Sequence, residues 1–270
     1  MEYIFAILFG IVEGITEWLP VSSTGHMILL EEWIDFPMSA AFMEMFLVVV
    51  QLGAILAVVV LFFGRLVPYS RGSGWDMPVF HMWWKIAVAC VPVVILEILA
   101  GDWLEEMFYH YQTVGIMLVV VGIAFLLVED WNEERTPAVT EIAEISYGQA
   151  LLVGVFQLLA AVFPGTSRSG ATIIGGLCLG LSRKAAAEFT FFLAIPVMFG
   201  ASLLKVAGFG LDFTGQELLV LFLGMATAFG VSLLVIRFLM QFVQKNDFRI
   251  FGWYRIVLGI LVFIFFFFRK

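Results

Sequence analysis

The sequence predicts an all-α polytopic membrane protein of two halves in inverted topology, each a re-entrant helical hairpin followed by three transmembrane helices. Three observations lead there. The 270 residues are 62% hydrophobic and 13% charged, against roughly half apolar and about a quarter charged in soluble domains. Apolar runs recur at about the 20 residues needed to cross a ~30 Å hydrocarbon core. Two of these runs are broken in the middle by proline, hydroxyl and glycine residues, PVSSTGH at 20–26 and PGTSRSG at 164–170.

Taken in order, the first half covers 1–128. Its opening block, 3–34, is too long for one helix and is interrupted at Pro20, where proline removes a helical hydrogen bond. A pair of short helices folded as a hairpin fits it, and spans 40–64, 83–100 and 111–128 follow. The acidic stretch 129–146 separates the halves as a cytoplasmic linker. The second half, 147–270, repeats the plan with a hairpin at 147–181 broken at Pro164, then spans 186–207, 217–240 and 250–268. Irregular backbone at membrane depth survives only where protein or a wet cavity satisfies its polar groups. Both breaks therefore mark a binding site.

The halves align at an offset of 144 residues, which superposes Gly10 on Gly154, Pro20 on Pro164, Ser23 on Ser167, Glu44 on Glu188 and Gly115 on Gly259. Identity at this offset is low, and the weight lies in which residues coincide: the helix breaker, its serine and a lone intramembrane glutamate. A hairpin plus three spans gives an odd number of crossings per half, so the copies are inverted, as in many transporters. With the 65–85 loop inside, Arg65, Arg71, Lys85, Arg135, Arg183, Lys184, Arg237, Lys245, Arg249 and Arg255 fall on the cytoplasmic side. Only Lys205, Arg269 and Lys270 fall outside, near the acidic groups Glu31, Glu32, Asp35, Asp102, Glu105 and Glu106. That asymmetry obeys the positive-inside rule.

Other classes are disfavoured. A net charge of −8 without any basic tract offers no nucleic-acid footprint. Cys90 and Cys178 lie in apolar segments and suggest no disulfide framework. The N-terminus lacks a basic n-region and a small-residue cleavage site, so it reads as mature protein.

The chemistry concentrates at the breaks. Glu13 and Glu17 are four residues apart and share a helix face. Two carboxylates in low dielectric either share a proton or hold a cation; Mg²⁺ or Ca²⁺ with Glu13 and Glu17 as ligands is one reading, and a water-facing pair is the bland one. His26 sits among Ser22, Ser23 and Thr24, where an acid–base role competes with a structural one. Arg168 is the only basic residue in a tip. Its planar fork suits phosphate or carboxylate, the rival being a buried pair with Glu13 or Glu17. Around it, Gly165 permits close backbone approach, and Thr166, Ser167, Ser169 and Thr172 add hydroxyls beside amides at a helix start. Glu44, Glu188, Gln51 and Gln157 read as structural polar groups, the glutamates capping the hairpin of their own half, as readily as catalytic ones.

EGITEWLPVSSTGH resembles the E-x-x-x-E and P-V-S-S-T-G-H pattern of the undecaprenyl-diphosphatase family, the bacitracin-resistance type, and PGTSRSGATI resembles its P-G-x-S-R-S-G-A-T signature. The likeness spans essentially the whole chain, with Trp18 and Thr166 as mild variations. It implies a divalent-metal-dependent integral membrane phosphatase that converts undecaprenyl diphosphate to undecaprenyl phosphate. Such an enzyme recycles the lipid carrier for peptidoglycan at the outer side of the bacterial cytoplasmic membrane. The family's functional positions fall on Glu13, Glu17, Ser23, His26, Ser167, Arg168 and Thr172. The second histidine and K-x6-R-P element of acid-phosphatase-like lipid phosphatases are absent from the sequence.

On this basis the diphosphate sits between the tips, bound by Arg168 and by Gly165, Thr166, Ser167, Ser169, Thr172, Ser22 and Thr24. Ser23 attacks phosphorus with Glu17 or His26 as base, or water attacks directly while Ser23 only binds. Expected partners are the polyprenyl lipid and the membrane, with a homodimer left open. The rival function is a flippase of the polyprenyl phosphate lipid using the same inverted-repeat site, with a small-anion carrier as the weaker third.

Overall fold

The computed structural model describes residues 1–70 and 74–268, without the side chains of Ser70 and Asp102. Arg71, Arg269, Lys270 and the Asp102 side chain, which entered the charge argument, lie outside the described residues.

The chain opens with two short helices, α1 (Glu2–Thr16) and α2 (Ser23–Trp33). The next segment, α3 (Ala40–Val49) with α4 (Gln51–Leu61), forms one membrane-length span, followed by the short α5 (Phe63–Leu66). A two-residue ladder pairs β1 (Tyr69–Ser70) with β2 (Gly74–Trp75). Two long helices complete this half, α6 (Met77–Phe108) and α7 (Tyr111–Asn132). The second half has α8 (Tyr147–Val162), α9 (Arg168–Cys178), α10 (Arg183–Phe209), α11 (Gly215–Phe242) and α12 (Arg249–Phe268). Among the described residues, six helices are long and apolar enough to cross a membrane.

Helix starts follow the capping chemistry of the sequence. Ser39, Asp76, Ser146, Ser182 and Thr214 each accept a hydrogen bond from an amide in the first turn, which satisfies a donor the helix itself cannot. Asp76 with Pro78 in the first turn lets α6 begin six residues before the sequence range 83–100.

In lipid there is no hydrophobic drive between apolar helices, so close packing of small residues takes over. The carbonyl oxygen of Gly224 in α11 lies 2.5 Å from where a Cβ on Gly10 would stand, so α1 lies on α11 backbone to backbone. Likewise α8 lies on α6 with Gly154 against Ala89, and α7 runs along α12 with Gly115 at Gly259 and Gly122 at Gly252. Each half's leading helix thus rests on the second spanning segment of the other half.

The intramembrane glutamates do not cap their own hairpins. Glu44 of α3 pairs with Lys205 near the end of α10, and Glu188 near the start of α10 pairs with Arg65 of α5. The physical reason is that the caps are already supplied by serines, while a carboxylate in an apolar wall needs a cation. Cys90 and Cys178 are free thiols.

One end of the bundle is sewn shut by the linker. Glu129 of α7 has no exposed surface; it accepts hydrogen bonds from Arg183 Nε at 3.0 and 3.1 Å and from the Phe248 amide at 2.9 Å. Arg249 pairs with Asp130, Glu133 and Asp247, and Lys85 donates to the Ala143 carbonyl at 2.8 Å. In the linker, amides of Thr140 and Glu141 hold the Glu144 carboxyl below its ordinary value.

Replacing Glu129 with Ala strands Arg183 and the Phe248 amide, so the protein in detergent is expected to lose about 3 kcal/mol. Glu141→Ala, which removes the exposed pair with Lys184, is expected to cost under about 1 kcal/mol. Denaturation of both variants side by side measures the difference, and equal losses would contradict the buried-latch reading.

Candidate active site

The two interrupted blocks fold as sharp turns between short helices. In the first, α1 stops at Thr16, and Ser22 takes φ 73° as the N-cap of α2, its Oγ accepting from the Gly25 amide at 3.3 Å. In the second, α8 stops at Val162, and Ser167 takes φ 68° as the N-cap of α9, its Oγ accepting from the Gly170 amide at 3.2 Å. These are the only two non-glycine residues with positive φ among the described residues. Such backbone costs on the order of 1–3 kcal/mol and clusters at functional sites.

The caps correct the register read from the sequence. Pro20 and Pro164 keep the 144-residue offset, but Ser167 corresponds to Ser22 rather than Ser23, and Arg168 corresponds to Ser23. The second turn carries one extra residue, Gly165, which absorbs the insertion with φ 90°. A Cβ there would meet the Val114 carbonyl oxygen at 2.6 Å.

Arg255 joins the two turns. This side chain, the seventh residue of α12, has no exposed surface. Its Nη1 donates to the Pro20 carbonyl at 3.1 Å, and its Nη2 donates to the carbonyls of Gly165 at 2.8 Å and Thr166 at 2.9 Å. Arg255, expected among the cytoplasmic cations from its place in the sequence, lies between the two turns instead. Counting charges along a span misplaces an arginine whose partners are carbonyls distant in sequence. A signal existed: a lone arginine two turns into an apolar helix is a buried functional group by default.

Around this clamp the polar residues converge on Glu17. Ser23 Oγ donates to Glu17 Oε2 at 3.0 Å, and Arg168 Nη2 donates to Glu17 Oε1 at 2.9 Å. Ser169 Oγ donates to the Glu17 carbonyl at 3.2 Å and lies 3.0 Å from Ser167 Oγ. Arg168 Nη1 donates to the Thr190 carbonyl at 3.0 Å, and Thr172 Oγ1 donates to the Arg168 carbonyl at 2.9 Å. A serine, a carboxylate and a guanidinium from two halves of the chain thus form one connected chain, with the helix N-termini of α2 and α9 beside it. A hydroxyl donating to a buried carboxylate at 3.0 Å is an arrangement in which the carboxylate could accept the hydroxyl proton.

Several buried polar atoms here have no protein partner: Glu13 Oε1, Thr166 Oγ1, Arg168 Nε and the Trp18 indole nitrogen. Native interiors leave few such groups unpaired. Glu13, 1% exposed, stacks one turn before Glu17. Among the described residues no three His, Cys, Asp or Glu side chains come together as a full metal site. The unpartnered Glu13 oxygen beside Glu17 is of the donor type that an oxygen-seeking divalent cation takes.

Both ring nitrogens of His26 are taken by groups other than the Ser23 hydroxyl. Its Nδ1 is 2.7 Å from the Ser22 carbonyl oxygen and its Nε2 is 2.7 Å from the hydroxyl of Tyr254, with the two rings stacked. Of the two bases considered for Ser23, the structure brings Glu17 to it. Thr24 faces a cavity of about 240 Å³ between the turns and α6, lined also by Pro164, Glu97, Glu105 and Tyr109. Tyr254 and Glu97 carry no sequence signal, because neither belongs to a motif at a turn.

The family described as bacitracin resistance protein BacA matches residues 6–261. The chain is 57% identical to an undecaprenyl-diphosphatase of Desulfitobacterium hafniense over 98% of this chain and 96% of that protein. It is 55% identical to undecaprenyl-diphosphatase 1 of Clostridium acetobutylicum, over 98% of both chains. An undecaprenyl-diphosphatase of Enterococcus faecalis is 54% identical over 97% of this chain and 96% of its own.

Gly165→Ala is expected to destabilise the detergent-solubilised protein by about 1–3 kcal/mol, through the positive φ and the Val114 clash. Gly200→Ala, in open space within α10, is expected to hold or gain about 0.5–1 kcal/mol from helix propensity. Thermal midpoints of the two variants test the assignment of Gly165 to a strained turn.

Proposed function

The chain belongs to the bacitracin resistance protein BacA family, and from that premise we propose that it is an undecaprenyl-diphosphatase acting at the paired turns. It is an integral membrane hydrolase that converts undecaprenyl diphosphate to undecaprenyl phosphate and inorganic phosphate. The lipid carrier for wall polymers is thereby recycled. The observation that carries the site assignment is the Ser23–Glu17–Arg168 chain, since none of its members could do this work from one turn alone.

Phosphoryl transfer asks chiefly for positioning and charge neutralisation. The diphosphate lies between the turns, its oxygens taken by Arg168, by the hydroxyls of Thr166, Ser169 and Thr24, and by amides opening α2 and α9. The orphaned Thr166 Oγ1 and Arg168 Nε support this placement, because an arriving phosphate would supply the acceptors they lack. Ser23 Oγ attacks the terminal phosphorus while Glu17 Oε2 takes its proton. The P–O bond to the bridging oxygen breaks and the electron pair leaves with undecaprenyl phosphate. Water then hydrolyses the phosphoserine. A divalent cation held by Glu13 and Glu17 would neutralise charge building on the leaving phosphate.

The cavity beside Thr24 supports opening toward the side that carries Glu97, Glu105 and Tyr109, opposite the linker end, where Lys85, Arg183, Lys184 and Arg249 gather. By the positive-inside rule that is the external face of the bacterial cytoplasmic membrane. The inverted relation of the halves is supported by the antiparallel glycine contacts of α7 and α12, and by the exchanged pairs Glu44–Lys205 and Glu188–Arg65.

Purified protein in detergent with undecaprenyl diphosphate and Mg²⁺ or Ca²⁺ is expected to release phosphate. Arg168→Ala is expected to lower kcat by about 10²–10³-fold, and Ser23→Ala by at least as much. Rapid quench with labelled substrate is expected to trap phosphoserine at position 23; Ser23→Ala retaining most activity would sink the covalent route.

Chelation is expected to abolish turnover and added Mg²⁺ or Ca²⁺ to restore it, with Glu13→Gln raising the metal concentration needed by about tenfold or more. Full activity in chelator would remove the cation from the mechanism.

A further inference from the structure

We propose that Tyr254 is a positioning residue for His26, holding its imidazole in one tautomer and one plane in both protonation states. The proposal rests on the phosphatase reading of the same site.

A carbonyl oxygen carries no hydrogen, so the 2.7 Å contact between Ser22 O and His26 Nδ1 puts the hydrogen on Nδ1. In the neutral ring the lone pair then lies on Nε2, and the Tyr254 hydroxyl at 2.7 Å donates to it. The rings stack with centroids 5.7 Å apart and planes within 9°, so stacking fixes the plane while the hydroxyl fixes the rotation.

The backbone contributes. Positive φ at Ser22 sets the carbonyl that His26 reads, four residues along α2. The second turn repeats this geometry at Ser167, but the residue four further on is Ala171, whose side chain donates nothing. Only the first turn builds an imidazole site. Tyr254 immediately precedes Arg255, whose bonds to Pro20, Gly165 and Thr166 lock the register of α12 against both turns. The clamp that holds the turns together therefore also delivers the hydroxyl to Nε2.

A tyrosine hydroxyl both donates and accepts. As water hydrolyses the phosphoserine, Glu17 returns its proton to Ser23 Oγ and the water gives one to His26 Nε2; rotation of the O–H then lets the same tyrosine oxygen accept from Nε2–H, with no heavy atom moving. Phenylalanine keeps the stack and cannot do this.

The test uses the full-length protein in detergent with undecaprenyl diphosphate. Tyr254→Phe is expected to lower kcat by roughly 10- to 100-fold, the scale of a hydrogen bond to a charged group, with KM changed by less than about threefold. The double variant His26→Ala/Tyr254→Phe is expected to be no worse than His26→Ala alone, since the tyrosine acts only through the histidine. In ¹⁵N-histidine spectra, Tyr254→Phe is expected to move the Nε2 resonance of His26 and leave the Nδ1–H tautomer in place. An additive double variant, an unchanged kcat or an unmoved Nε2 resonance each overturns the proposal. Failure of the phosphatase reading would look different: wild type would release no phosphate, while the His26 resonance would still respond to Tyr254→Phe.

Discussion

A buried guanidinium holds this architecture together. Two turns that leave helical geometry inside an apolar bundle expose carbonyls that lipid cannot satisfy. Arg255 answers three of them at once, one from the first turn and two from the second. The cost of burying its charge is offset only because both turns are present, so the hairpins and α12 are interdependent. The glycine contacts of α1 on α11, α8 on α6 and α7 on α12 bring the turns close enough for one side chain to reach both.

From that juxtaposition the site follows. Glu17 follows the last residue of α1, Arg168 begins α9 and Ser23 begins α2, and the Glu17 carboxylate takes one hydrogen bond from each of the other two. The Arg168–Glu17 pair is a single Nη2 contact, while Arg168 Nε lacks a partner, which leaves part of the guanidinium fork unused in this arrangement. The same planar fork that pairs with a carboxylate is suited to a phosphate, which is why the proposed diphosphate site falls here.

Much of the site was legible in the sequence because its residues sit at turns. Proline and clustered hydroxyls announce a break in an apolar run, and the residues beside the break are the ones the structure gathers: Glu17, Ser23, Arg168, Ser169 and Thr172. The local register was not legible. An offset of 144 pairs Ser23 with Ser167, whereas cap geometry pairs Ser22 with Ser167, because a single inserted glycine at positive φ leaves no mark in composition. Glu44 and Glu188 were visible as outliers, but their partners, Lys205 and Arg65, lie on other helices.

The sequence by itself determined the class of the protein, the number and order of its apolar spans, the two breaks, and the reactive residue types at each. These follow from hydropathy, helix length and the intolerance of helices for proline, all of which act over a few residues. Tertiary structure alone decided that Glu17 rather than His26 meets Ser23, where Arg255 lies, and that Tyr254 stands against His26. Those outcomes depend on distances between segments up to 235 residues apart. They are set when small residues let helices approach and buried polar groups find whichever partner the packed bundle brings within 3 Å.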